Sequence, residues 1–544
     1  MMLRLTPVNA AWARVEFEPD DDRSHVEQQL DDFLSFDSPG AAFSPAFKRG
    51  HWDGKIRLFK RQWGLIPAGL HDRVEAWAKT QSISCQNGVR ATNPVNLDQI
   101  HVFLSKANLE AKIGGKAHDY QLRAFILGLQ NRKGVFISPT GSGKSLIFWL
   151  WAQYYRQHLA NHSAKMAGKI LVVVPTLGLK TQLSKDFLSY GSKKSEIQII
   201  KDVDEDVDPR ASIVFANWQS IYKHKAEWFE PFAMVLGDEV HLYQSKSIKE
   251  IMEKLVNAEY RLGLTGTLED AKCHRLILEG HFGPIRQVEK TANLQKRGIL
   301  SGIDVRQLFL TYPESDRHTL YNQKRQIELD IRNARRKEKA TVLVLPQRPD
   351  DDDSDEEESD FLSPYQAEVQ FTNLHPKRMS FTAQLAARQP KHENTLVMFN
   401  YKERHGIPLH EEIVALVGDT RPIYYVDGDV PADEREQIRV DTERQQGVII
   451  VASYGVFSTG INIKNLHRII FAGASKSKYR VLQSVGRGLR LHATKDKLVV
   501  FDLVDDLRLH NEENYLYRHG TRRREFYDTE RFPVTEFHIM LDTA

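Results

Sequence analysis

The sequence predicts an α/β chain: two tandem parallel-sheet domains preceded by a small α+β domain. Three observations carry this. Residues 105–290 alternate helix-compatible stretches with short branched apolar runs, residues 391–510 repeat the pattern, and residues 1–100 are instead turn-rich, aromatic and locally basic. Continuous apolar runs separated by helices mark strands buried on both faces, the environment of a parallel sheet. The expected boundaries are a small domain at 1–100, a first sheet domain at 105–290, a linker with an acidic disordered insertion at 291–385, and a second sheet domain with a C-terminal extension at 386–544.

In the first segment, alternation over Trp12–Phe17 predicts a strand, and the charged DDDRSHVEQQLDDFL predicts a helix. Asp53-Gly54, between short alternating stretches, predicts a hairpin turn. Lys48, Arg49, Lys55, Arg57, Lys60 and Arg61 crowd around the single acid Asp53, interleaved with Phe47, Trp52, Phe59 and Trp63. Such cations suit phosphate, and Trp52 or Phe59 could stack on unpaired bases. The aromatics equally suit the core of a small domain, and nothing here specifies a base sequence.

The strands expected in the first sheet are GVFIS (134–138), ILVVVP (170–175), SIVFAN (212–217), AMVLGD (233–238) and YRLGLT (260–265). Those of the second are TLVMF (395–399), PIYYVD (422–427), GVIIVAS (447–453), RIIFAG (468–473) and KLVVFD (497–502). Between them, 324–339 reads as an exposed charged helix, followed by TVLVL and a tract (350–360) in which nine of eleven residues are acidic. Like-charge repulsion makes that tract a solvated spacer, or alternatively a decoy competing with a polyanionic ligand. The basic and aromatic RHGTRRREFY near the C-terminus suits backbone contact or helix-surface packing equally.

Composition narrows the classes. At 41% hydrophobic and 27% charged, the 544-residue chain is globular in character. No apolar stretch approaches the ~18–20 residues that cross a bilayer, and the N-terminus lacks a secretory pattern, so no membrane partner is expected. Two distant cysteines, Cys85 and Cys273, exclude a disulfide framework and a cysteine-rich zinc site, and suit a reducing, cytoplasmic or nucleoid-associated setting. The net charge of +3 does not by itself select a polyanion; local patches decide.

The strongest local signal is Ser138-Pro139-Thr140-Gly141-Ser142-Gly143-Lys144-Ser145, at a strand end and before the helix-compatible LIFWLWAQYYRQHL. Glycines let successive amides curl around phosphate, the helix N-terminus adds donors, Lys144 reaches β and γ phosphates, and Ser145 can supply an oxygen to Mg²⁺. The first position is serine where the generic pattern has glycine. Downstream, AMVLGD ends in Asp238-Glu239-Val240-His241. Asp238 is placed for the Mg²⁺ shell, Glu239 for a base that orients water, and His241 for a hydrogen bond to a neighbouring loop.

In order, SPTGSGKS, VVVPT, DEVH, LTGT, ASYGVFSTGINIKNL and QSVGRGLR resemble the motif set of superfamily 2 helicases and translocases over about residues 120–490. The resemblance implies two tandem RecA-like domains and an ATP-driven nucleic-acid motor. It implies adenine contact by Tyr120 and Gln121, phosphate contact by Thr140, Gly141, Ser142, Gly143 and Lys144, and strand contact by Pro175, Thr176, Asn217 and Gln219. It implies coupling through Thr265 and Thr267, nucleic-acid and nucleotide contact by Thr459 and Gly460, and catalytic assistance from Gln483, Arg487 and Arg490. Arg487 and Arg490, three apart, could share one helix face, where guanidinium donors would stabilise the charge of phosphoryl transfer. ATP bridging the two domains would then couple hydrolysis to alternating grips on a strand.

DEVH in place of DEAD disfavours one large RNA-helicase group. The segment FDSPGAAFSPAFKRGHWDGKIRLFKRQWGLIPAGL, above all WDGKIRLF at 52–59, resembles the small N-terminal domain of the UvsW family of bacteriophage recombination helicases. That family implies ATP and Mg²⁺, branched or forked DNA, RNA–DNA hybrids in R-loops, replication or recombination proteins as partners, and a host-cell cytoplasmic setting if phage-encoded. The alternatives are an RNA helicase, the motor subunit of a restriction or repair complex, and a nonhydrolysing DNA-binding scaffold switched by ATP.

Overall fold

The computed structural model describes residues 2–18, 23–38, 41, 44–90, 95–113, 115–160, 168–243, 246–268, 272–338, 362–459, 463–473, 478–510 and 512–541. The chain forms two compact units, Met1–Glu289 and Lys290–Ala544.

The first unit opens with β1 (Met2–Pro7), β2 (Trp12–Phe17), β3 (Ser35–Asp37), β4 (Lys55–Arg57), β5 (Leu65–Pro67) and β6 (Ser84–Asn87). The alternation of β2 is half-buried: Ala13, Val15 and Phe17 point inward and their neighbours outward. Four strands form a mixed sheet in the order β5-β2-β1-β6, and β3 pairs antiparallel with β4. Asp53-Gly54 is therefore not a tight hairpin turn, because the partner of β4 lies some twenty residues upstream. Asp53 instead accepts from the Lys55 amide at 3.1 Å and pairs with Arg57, ordering the approach to β4.

This N-terminal region has a sheet and an apolar core of its own and packs on the sheet domain that follows it. Leu276, from the helix Lys272–Phe282, joins its apolar core of Leu3, Leu30, Ile66 and Trp77. A Cβ on Gly69 would lie 2.0 Å from the Glu279 carbonyl oxygen, so only glycine permits that backbone approach. Arg73 Nε donates to Glu279 at 2.6 Å, the Ala10 amide to Val256 O at 2.9 Å, and Lys133 Nζ to Ala10 O at 3.0 Å.

The larger sheet of this unit contains β7 (Lys133–Ile137), β8 (Lys169–Val174), β9 (Ile197–Ile199), β10 (Ile213–Asn217), β11 (Phe232–Asp238), β12 (Tyr260–Thr265) and β13 (Ile285–Gln287). All pairings are parallel, in the order β13-β7-β12-β11-β8-β10-β9. Branched residues such as Val135, Leu171, Val214 and Val235 are buried in one core. Parallel strands bring their C-terminal ends to one edge, where such sheets bind ligands. That edge sets side by side the loops after β7, β12, β11, β8 and β10.

The second unit is also RecA-like: β14 (Gly302–Thr311), β15 (Thr395–Phe399), β16 (Ile423–Val426), β17 (Ile449–Ser453), β18 (Arg468–Phe471), β19 (Lys497–Asp506) and β20 (Val534–Met540). They form an all-parallel sheet in the order β16-β17-β15-β18-β19-β14-β20. Residues 291–385 are thus not simply a linker. β14 pairs with β19 along ten residues, and its Leu308 and Leu310 enter the second core. The charged stretch expected near 324–339 belongs to the helix Glu314–Glu338; TVLVL and the acidic tract lie outside the described residues. No described helix is long and apolar enough to cross a membrane.

Candidate nucleotide site

The loop after β7 is built by backbone conformations that glycine permits: φ is +85° at Gly141 and +77° at Gly143. Ser138 anchors its start, donating its amide to Thr265 O at 2.9 Å and sharing a 2.7 Å hydrogen bond with the Ser142 hydroxyl. Ser142 is buried and its own amide donates to Pro139 O, so this side chain braces the loop from within. The helix Lys144–Tyr154 then begins directly, which aims its first amides at the loop.

Gln121 clasps the loop from beneath. Its Oε1 accepts from the His118 amide at 2.8 Å, and its Nε2 donates to Ser142 O at 2.8 Å. A Cβ on Gly143 would fall 2.5 Å from that Nε2, so the contact requires glycine. Tyr120 OH donates to the same carbonyl at 2.8 Å, with the ring 0% exposed and the His118 ring stacked on it. The expectation that Tyr120 contacts adenine is corrected here: a ring without exposed surface cannot stack on a base, and it supports the loop instead.

Lys144 and Glu239 meet at the sheet edge, Nζ to Oε1 at 2.9 Å. Burial alone would raise the Glu239 carboxyl; the Lys144 ammonium, then His241 and the Gly266 amide, outweigh it and hold the group down at about 2. Glu239 has φ +47°, a left-handed conformation uncommon outside glycine, and its amide donates to Asp238 Oδ1 at 3.0 Å. Its second oxygen faces Gly266 N at 3.3 Å, Thr265 Oγ1 at 3.4 Å and His241 Nδ1 at 3.5 Å.

His241 Nδ1 also lies 2.7 Å from Thr265 Oγ1, while that hydroxyl donates to Thr267 O at 2.7 Å. A threonine hydroxyl has one hydrogen, so His241 is the donor to Thr265. The result is a directed chain, His241 to Thr265 to Thr267, lying against the carboxylate of Glu239. Gly266 abuts the phosphate loop: a Cβ there would sit 3.0 Å from Thr140 Oγ1 and 3.2 Å from Lys144 Nζ. The space beside Lys144 and Thr140 is therefore kept open by Gly266.

Ser145 and Asp238 provide hard oxygen donors of the kind Mg²⁺ takes when nucleotide phosphates and water complete its shell. Among the described residues no group of three or more His, Cys, Asp or Glu could hold a metal by itself. Ser145 Oγ lies 2.9 Å from Tyr190 OH, a partner 45 residues away that no motif spacing announces.

The remaining candidates separate by exposure. Thr176 caps the helix Leu177–Ser189, accepting from Leu179 N at 3.3 Å, and Gln219 is exposed. Pro175 is buried, and so is Asn217, whose Oδ1 accepts from Ser220 Oγ at 2.7 Å and whose Nδ2 donates to Gln219. Both side chains face the protein interior, whereas Gln219 faces solvent.

In the N-terminal region, Lys48 and Arg49 are exposed. Lys55 is half-buried within 4.0 Å of Asp32, and Trp52 donates to Lys55 O at 2.9 Å. Arg57 pairs with Asp31 at 2.8 Å and with Asp53; Arg61 bonds Gln28 at 2.9 Å and Glu27 at 3.3 Å; Lys60 covers the Trp12 ring at 3.9 Å. Phe59 is buried in the core and cannot stack on a base, whereas Trp63 is 60% exposed.

In the second unit, Arg487 lies buried on the helix Lys478–Gly488. Arg490 falls beyond the end of that helix, so the two arginines do not share one helical face. Gly488 ends it where a Cβ would lie 2.8 Å from Leu498, and its carbonyl accepts from Lys495 Nζ at 2.7 Å. Gly460 and the side chains of Thr459 and Gln483 lie outside the described residues. Of the late basic cluster, Arg523 is buried against Asp502, whereas Arg524 is partly exposed and pairs with Asp528 and Glu536 at the surface.

Comparison with known proteins gives three matched segments. Residues 10–86 match "DNA helicase UvsW, N-terminal", residues 104–270 match "Type III restriction enzyme, res subunit", and residues 377–492 match "Helicase conserved C-terminal domain". The chain is 32% identical over 530 residues to the ATP-dependent DNA helicase uvsW of Enterobacteria phage T4, covering 93% of this chain and 94% of that one. The crystal structure of T4 UvsW is 30% identical, covers 99% of this chain and 100% of that chain, and has a TM-score of 0.47. The S. cerevisiae Dbp5 structure with RNA and ADP BeF3 is 13% identical, covers 81% of this chain and 93% of that chain, and has a TM-score of 0.52, a likeness of fold alone.

Proposed function

The chain belongs to the family of UvsW ATP-dependent DNA helicases, and on that premise we propose that it remodels branched DNA, regressing forks, migrating junctions and unwinding R-loops. It is an enzyme that uses ATP. The observation that carries the finer reading is the seat of the UvsW-like N-terminal region on the helix Lys272–Phe282, next to the ATPase sheet. A DNA arm held by exposed Lys48 and Arg49 would be held in a fixed relation to that sheet, so nucleotide-driven displacement of the strand would act against a stationary grip.

The chemistry follows from the Lys144–Glu239 pair. Before nucleotide enters, the ammonium and carboxylate neutralise each other. A phosphate oxygen arriving in the cradle competes for Lys144, and Glu239, still touched by the Gly266 amide, is released to orient the attacking water. Ser145 and Asp238 would hold Mg²⁺, which when bound offsets charge on the phosphates. Gln121 keeps the loop curled while Tyr120 braces it. The His241–Thr265–Thr267 chain ties the state of Glu239 to the loop after β12, a path from hydrolysis to motion.

Phosphate release measured with linear duplex, forks, four-way junctions, R-loops and RNA duplexes tests the reading. Forks, junctions and R-loops should stimulate turnover most; equal stimulation by RNA duplex would overturn the branched-DNA assignment.

A further inference from the structure

The hydroxyl of Ser145 is held by a device that none of the helicase motifs includes. Tyr190 is the C-cap residue of the helix Leu177–Ser189, and its OH lies 2.9 Å from Ser145 Oγ. Its ring packs edge-on against Trp149, centroids 5.9 Å apart. Two residues on, the buried Ser192 Oγ accepts from Trp149 Nε1 at 3.1 Å and from Gln153 Nε2 at 2.9 Å. Ser145, Trp149 and Gln153 recur every four residues, so they form one stripe of the helix after the phosphate loop. That stripe grips the 190–192 turn at three points. Gly191, at φ +101°, allows the turn to double back.

A serine hydroxyl that binds a cation must present a lone pair to it and send its single hydrogen elsewhere. A partner fixed beside Ser145 determines where that hydrogen goes. We propose that Tyr190 is a positioning residue for Mg²⁺–ATP: its phenolic oxygen accepts the Ser145 hydrogen and keeps the serine lone pairs turned to the metal. The proposal rests on the reading of Ser145 as a magnesium ligand. The gripped turn explains why the tyrosine can do this, since ring and backbone are held independently of the hydroxyl. The same helix begins at Thr176, so the magnesium ligand's partner and a candidate strand contact sit on one rigid element.

Tyr190→Phe keeps the ring on Trp149 and removes only the hydroxyl. Affinity for a fluorescent ATP analogue is measured in EDTA and in a Mg²⁺ series, together with the Mg²⁺ dependence of DNA-stimulated phosphate release. Affinity in EDTA should stay within about twofold of the parent, while the gain in affinity that Mg²⁺ confers falls about tenfold, as the loss of one well-placed hydrogen bond allows. Half-saturating Mg²⁺ should rise by a similar factor. An unchanged Mg²⁺ dependence, or equal losses with and without Mg²⁺, overturns the proposal. Ser192→Ala loosens the turn without touching the tyrosine, and should shift half-saturating Mg²⁺ about threefold in the same direction; if Tyr190→Phe does not fold, an unshifted Ser192→Ala overturns the idea instead. Ser145→Ala separates the two readings. If it leaves the Mg²⁺-conferred gain intact, the magnesium assignment of Ser145 fails; if it removes the gain while Tyr190→Phe does not, only the role of Tyr190 fails.

Discussion

Each unit buries ion pairs at or near its sheet, and they are built differently. In the first, Lys144 meets Glu239 through one ammonium contact at 2.9 Å, and the other groups facing Glu239 Oε2 stand 3.3–3.5 Å away. In the second, Asp502 receives Arg523 Nε at 2.9 Å and Nη2 at 2.8 Å, Gln307 at 3.0 Å and Tyr527 OH at 3.1 Å. Asp505 receives Arg378 at 2.6 and 3.1 Å and Tyr312 OH at 2.7 Å, and the Arg378 guanidinium also donates to Ala472 O. Burial and opposite charge are common to both, so neither marks a working site. The difference is saturation. A guanidinium fork with extra donors fills a carboxylate and leaves nothing to exchange. A single flexible ammonium beside glycine-lined space can move to an incoming phosphate.

This contrast is broken most sharply at Lys144. Lys144→Ala should lower DNA-stimulated phosphate release by about 10³-fold, the scale of losing a preorganised charge at a transferring group. Its denaturation midpoint should fall only modestly, because the buried Glu239 that loses its partner keeps the Gly266 amide and His241 beside it. A variant that hydrolyses ATP normally would mean the pair is structural after all. Asp502→Ala should behave in the opposite sense: removing one partner strands Arg523 in the interior and costs about 3–5 kcal/mol in urea unfolding. If that variant keeps its stability but loses turnover, the second network is not the scaffold its hydrogen bonds describe.

Acid titration sharpens the same comparison. Glu239 is held down at about 2 against an ordinary 4.5, although burial pushes it up, because Lys144 and His241 outweigh desolvation. A depressed carboxyl stabilises the fold fully above its unfolded value and loses that contribution as pH falls toward its folded value. The window for Glu239 is thus about pH 4.5 down to about 2. Lys144→Met removes the strongest of the lowering influences, so the acid unfolding midpoint followed by circular dichroism should rise, by about half a pH unit. A midpoint that stays in place would show that Lys144 does not set the charge of Glu239.

The same physical distinction explains what the sequence could reveal. The phosphate loop was legible because positive φ at Gly141 and Gly143 is a local demand, written in the residues themselves. Strands such as β8 and β17 were legible because both faces are buried and the apolar run is unbroken. β14 was not, since Asp304, Arg306 and Gln307 interrupt it, and Gln307 is polar because it serves Asp502 on the neighbouring strand β19, 195 residues away in sequence. β20 lies at the sheet edge with mostly exposed side chains, and so carries no apolar signature. Tyr120 shows the limit for the site: a motif names the residue, yet only its partners reveal that the ring faces the Ser142 carbonyl. Tyr190 had no signal, being brought to Ser145 by packing alone.

The N-terminal cations repeat the contrast between saturated and available charge on a solvent-exposed surface, where the effects are smallest. Arg57 is engaged by both Asp31 and Asp53, and Asp53 is held well below the ordinary carboxyl range by that same guanidinium. Lys48 and Arg49 extend from a short exposed helix. Each phosphate neutralised on duplex DNA contributes about 0.9 to the slope of log affinity against log salt. The double variant Lys48→Ala with Arg49→Ala should therefore flatten that slope on a forked duplex by about 1.8, read by fluorescence anisotropy across a salt series. Arg57→Ala should leave it unchanged, because its charge is already answered within the protein. Were Arg57→Ala to flatten the slope as much as the double variant, internal pairing would not withhold a cation from DNA, and the rule drawn from the two buried networks would not extend to this surface.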